Sequence, residues 1–67
     1  MASVPNELLL RARQDYLEMP GLVLTTEQAS RLWNLDRPMC QELLATLVRE
    51  QFLAKTRGGA FLHRGAV

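Results

Sequence analysis

The sequence predicts a mainly α domain: three helices with a small β-hairpin at the C-terminal side. Three observations carry that prediction. First, two helix-start signals flank a tight corner. Thr25 with Gln28 makes a capping box, and Asp36 precedes Arg37-Pro38, where a missing N–H costs nothing in a first helical turn. Second, apolar residues recur at helical spacing through residues 6–19 and 37–50. Third, beyond Gln51 the period becomes extended and is broken by Gly58-Gly59, a strong tight-turn signal.

At 67 residues the chain is expected to form a single domain over 1–67, with its core at about 6–64 and flexible tails at 1–5 and 65–67. A domain this small buries only about 60% of its unfolded surface, so its stability is marginal. Apolar residues make up 48%, a globular composition. One cysteine allows no internal disulfide, and Cys40 suits a reducing cytosol. No apolar run nears the roughly 18 residues that span a bilayer, and MASVPNELLL lacks the basic start of a signal peptide. A cytoplasmic location with no membrane partner is expected. The net charge is only +1, but it is unevenly placed: residues 1–48 net −2, whereas 49–67 net +3, from Arg49, Lys55, Arg57 and Arg64 against Glu50.

The elements follow in order. Pro5 precedes a first helix over Asn6 to about Met19, which Ser3 or Asn6 is placed to cap. Leu8, Leu9, Ala12, Tyr16 and Met19 form its core stripe. Leu10 and Leu17 lie nearly opposite, which leaves three readings open: a second element over them, a self-association face, or plain exposure. Pro20-Gly21 ends the helix, with Gly21 suited to a left-handed cap. Leu22-Val23-Leu24 is short enough to serve only as a brief strand paired with the hairpin. The second helix, Thr26 to about Trp33, turns Ala29, Leu32 and Trp33 inward, the indole N–H reaching a backbone carbonyl or solvent. The third, Arg37 to about Glu50, turns Met39, Cys40, Leu43, Leu44 and Leu47 inward. Its outer side shows Pro38, Gln41, Glu42, Ala45, Thr46 and Arg49. In the hairpin, a two-residue turn at Gly58-Gly59 pairs Lys55 with Leu62 and Thr56 with Phe61, setting Leu53 and Leu62 on one face. A one-residue slip puts Phe61 on Leu53's face instead.

The chemistry excludes several classes. His63 and Cys40 are each the single residue of their type and lie on different elements, so neither a nucleophile–base pair nor a set of metal ligands is in view. Cys40 reads as a buried structural thiol and His63 as a surface side chain of the hairpin. Gly58-Gly59 lacks the Lys-Ser/Thr of a phosphate-binding loop. The expectation is a protein that is not an enzyme and carries no cofactor and no metal.

The order helix, short strand, helix, turn, helix, two-stranded hairpin resembles the winged helix-turn-helix domain. The resemblance rests on LTTEQASRLWNLDRPMCQELLATLVREQFLAKT and the following RGGAFLHR, nearly the whole chain. It looks like the minimal bacterial winged helix modules found alone or inside transcription regulators. The resemblance implies double-stranded DNA as partner, the third helix in the major groove and the 52–64 hairpin as wing. Arg37, Gln41, Thr46 and Arg49 would then face the groove, and Lys55, Arg57 and Arg64 would hold phosphates. The alternative is a protein-interaction or oligomerisation module on the same scaffold, with Leu10 and Leu17 as a dimer face. Two features depart from the pattern. Glu50-Gln51 stands where many such domains turn on glycine, and Glu42 sits among the groove-facing positions of a helix poor in cations.

Overall fold

The computed structural model describes residues 4–66. Three helices pack with a small three-stranded antiparallel sheet, in the order α1 (Asn6–Glu18), β1 (Val23–Thr25), α2 (Thr26–Leu32), α3 (Arg37–Arg49), β2 (Leu53–Lys55) and β3 (Ala60–His63). A 3-10 turn, Arg64–Ala66, follows. The strand order is β1-β3-β2.

α1 starts after Pro5 with no side-chain cap; Asn6 is its first residue, and Ser3 lies outside the described residues. Its end differs from expectation. Met19 leaves helical geometry (φ −126°, ψ 82°), as a residue before proline is pushed to do, and Leu22 N–H closes the turn on Met19 O at 2.9 Å. Gly21 is therefore not a left-handed cap; among glycines only Gly59 has positive φ. Carried off the helical spacing, Met19 is 49% exposed instead of in the core stripe.

α2 has the expected reciprocal cap: Gln28 N–H donates to Thr25 Oγ1 (3.2 Å), and Thr25 N–H to Gln28 Oε1 (3.0 Å). Ala29 and Trp33 fill the inward positions one turn apart, which leaves Leu32, also expected inside, 45% exposed. Asn34 then takes a left-handed φ of 53°, and Leu35 N–H returns to Ser30 O at 2.9 Å. Asp36 stands at the start of α3 but makes no side-chain cap bond.

α3 ends the same way. Gln51 is left-handed (φ 64°), its N–H reaching Val48 O and Phe52 N–H reaching Leu47 O, both at 2.9 Å. That is a Schellman close with glutamine in the glycine place. A side chain there costs about 1 kcal/mol. Gln51→Gly is therefore expected to raise stability by about 0.5–1 kcal/mol in urea unfolding, whereas Gln51→Val lowers it.

The hairpin adopts the slipped register: Lys55 pairs with Phe61, Ala54 with Leu62 and Leu53 with His63. The loop has three residues, 57–59, rather than two. Thr56 N–H bonds Ala60 O (2.7 Å), Gly59 N–H bonds Thr56 O (3.1 Å), and only Gly59 (φ 84°) needs a conformation that disfavours side chains. Leu53, Lys55, Phe61 and His63 thus share one sheet face, joined by Leu24, which pairs with Phe61. Leu24, Leu53 and Phe61 of that face are buried. They meet Ala12 and Tyr16 of α1, Ala29 and Trp33 near α2, and Cys40, Leu43, Leu44 and Leu47 of α3. Val4, expected in a loose tail, packs against this core.

Polar atoms inside are paired. Tyr16 Oη–H donates to Phe61 O at 2.8 Å, fastening α1 to β3. Trp33 Nε1–H donates to Asp15 Oδ2 at 2.7 Å, a side-chain partner in place of the expected carbonyl or solvent. Among the described residues no buried side-chain nitrogen or oxygen lacks a partner.

Candidate nucleic-acid interface

Helical spacing places Gln41, Ala45, Val48 and Arg49 along one outer flank of α3. The start of α2 and the inner edge of the hairpin come alongside, and the elements enclose an open cleft of about 390 Å³. It is lined by Thr26, Gln41, Ala45, Val48, Arg49, Lys55 and Phe61. Ala45, Val48 and Phe61 supply its apolar surface; Gln41, Arg49 and Lys55 supply hydrogen bonds and two positive charges. Lys55 Nζ lies 5.8 Å from the centre of the Phe61 ring, which steadies the ammonium beside the cleft.

Of the residues read from sequence as DNA-facing, the structure therefore gathers Gln41, Arg49 and Lys55 in one place. Arg37 is exposed in the first turn of α3, one turn before Gln41. Arg57 is exposed in the hairpin loop. The other two stand apart. Thr46 lies about 140° around α3 from Gln41. It is half-buried, and its hydroxyl accepts from Arg49 Nη2 at 3.2 Å. Arg64 is exposed past the end of β3 remote from Arg57, and its N–H bonds Phe52 O at 3.0 Å.

Neighbouring acids sharpen the charge pattern. Glu50 pairs with Arg13 of α1, so the one acid of the basic C-terminal stretch is neutralised. Arg37, Arg49, Lys55 and Arg57 form no salt bridge among the described residues. A second concavity, about 340 Å³, holds Asp36, Pro38, Met39, Gln41 and Glu42 beside the N-terminal half of α3. Its two carboxylates would repel a phosphate, whereas the Arg49–Lys55 side would attract one.

The remaining chemistry-bearing side chains lie elsewhere. Cys40 is fully buried, its thiol donating to Thr26 O at 3.5 Å, and burial pushes its pKa up. A thiol held neutral is a poor nucleophile. His63 is not a surface side chain of the hairpin: it is half-buried, with its ring 4.5 Å from that of Phe52. Arg13 lies 6.0 Å from the Phe52 ring centre. No three or more His, Cys, Asp or Glu are grouped to hold a metal ion among the described residues. No helix among them is long and apolar enough to cross a membrane.

Sequence spacing alone misses Phe61 and Thr26 as cleft residues, because both enter it only through the hairpin register and the pairing of β1 with β3. Val48 carries a local signal, since it follows Gln41 by seven positions on the same flank. Comparison with known protein families, curated proteins and solved structures finds no match to the chain.

Proposed function

We propose that the chain is a small winged helix protein that binds double-stranded DNA in transcription regulation or a related accessory role. α3 enters the major groove and the 52–64 hairpin acts as wing. The observation that carries the reading is the convergence of Gln41 and Arg49 of α3 with Lys55 of β2 around one cleft, with Arg37 and Arg57 exposed and in no ion pair among the described residues. The helix–strand–helix–helix–hairpin order, with β3 central in the sheet, supports it. Gln41 is the side chain suited to a base edge; the four cations suit phosphates.

A second reading has its own support. Ala45, Val48 and Phe61 give the cleft an apolar surface that phosphate does not use, and an apolar side chain of a protein partner would fill it. One titration separates the two. If about four phosphates are neutralised, affinity for a generic duplex falls roughly 100-fold between about 50 and 200 mM salt. Arg49→Ala with Arg57→Ala reduces the logarithmic salt slope by about 2. Absence of binding at the lower salt overturns the DNA reading and leaves the protein partner.

A further inference from the structure

Leu10 and Leu17 are the most exposed large apolar side chains among the described residues, at 53% and 59%. Seven positions apart, they differ by only about 20° around α1 and form a straight seam along it. The middle of that seam carries no unpaired charge. Arg13 is drawn off to Glu50 and the Phe52 ring, and Gln14 is neutral. The flank on the Gln14 side carries Glu7 in the first turn and then Arg11 and Glu18, the last two also seven apart. Both are exposed, and neither forms a salt bridge among the described residues.

We propose that this seam binds a second copy of the chain, the two α1 helices lying antiparallel about a twofold axis. Leu10 of each copy packs on Leu17 of the other. The charge pattern selects the direction. An antiparallel pair brings like flanks together and sets Arg11 against Glu18 of the other copy, twice, whereas a parallel twofold pair turns this flank towards the opposite, Arg13-bearing flank and makes no Arg11–Glu18 contact. A twofold interface uses the same patch on both copies, and this patch is complementary to itself only in the antiparallel sense. The seam is short, so the pair is weak, with a dissociation constant on the order of 100 µM.

Sedimentation velocity of the whole chain from about 10 µM to 1 mM tests this. The wild type is expected to shift from monomer to dimer across that range. Leu10→Glu with Leu17→Glu stays monomeric, with unchanged helical circular dichroism because both positions are exposed. Arg11→Glu alone and Glu18→Arg alone each raise the dissociation constant about 3- to 10-fold, and the two together restore it. These charge variants leave the apolar seam intact, so the test does not rest on the leucine variant alone. A wild type still monomeric at 1 mM, or a dimer that persists in the leucine variant, overturns the proposal. Single charge variants without effect, or a double variant that fails to restore, overturn the antiparallel arrangement.

Discussion

Replacing Leu47 by alanine lowers stability by about 3 kcal/mol and the melting temperature by roughly 12–24 °C. Leu47 is fully buried at the C-terminal end of the inward stripe of α3, one turn after Leu43 and Leu44 and two turns after Cys40. A domain of this length has roughly 3–10 kcal/mol in all, so one cavity at this position removes a large share of it. Thermal unfolding followed by circular dichroism measures the effect. Leu32→Ala is the contrasting variant. Helical spacing alone makes Leu32 a core residue, but it is 45% exposed and its loss is expected within about 0.5 kcal/mol. Equal losses at the two positions would contradict the packing described.

Alkali is expected to destabilise the protein through Tyr16. Burial, and secondarily the nearby Cys40, push its phenol from 10.0 up to about 12. The proton is therefore held more tightly in the folded state. This stabilising contribution is fully present below pH 10, where both states are protonated, and is lost as pH rises towards about 12. Over that window the loss is about 2–3 kcal/mol. Urea unfolding at pH 8 and at pH 11.5 reads it directly. Tyr16→Phe removes this component. It is less stable than the wild type by about 1–2 kcal/mol at pH 8, because the bond to Phe61 O is gone, and the two converge at high pH. Parallel curves for the two proteins would refute the assignment.

Local chemistry is enough for the helices and for the cap of α2, though not for the side-chain caps expected at α1 and α3. The Thr25–Gln28 cap depends on residues three apart, and the Ala12–Tyr16 and Cys40–Leu47 stripes on spacing within one element. The failures are of two physical kinds. At element ends, backbone preference overrides the period: Pro20 pulls Met19 out of its helix. Across the sheet, two adjacent glycines serve a two-residue or a three-residue loop equally well, and the choice moves every side chain of β3 to the other face relative to β2. The candidate site inherits that ambiguity. Its cations can be read from the chain, but Phe61 faces the cleft only because the loop has three residues. The Arg13–Glu50 pair joins residues 37 apart and the Trp33–Asp15 bond residues 18 apart, and neither spacing has a local signature.

The strand order has a consequence in time. β3 is the last strand in chain order and the middle one in the sheet, so β1 and β2 touch it and not each other. Chain emerging from a ribosome holds two strands with no partner until residues 60–63 are out, and the phenol of Tyr16 waits on the same segment for its acceptor. Folding during synthesis thus runs as one late event rather than helix by helix. The same geometry makes β3 a common latch in the finished protein: when it opens, all three strands lose their bonds together, and their amides exchange as a single unit.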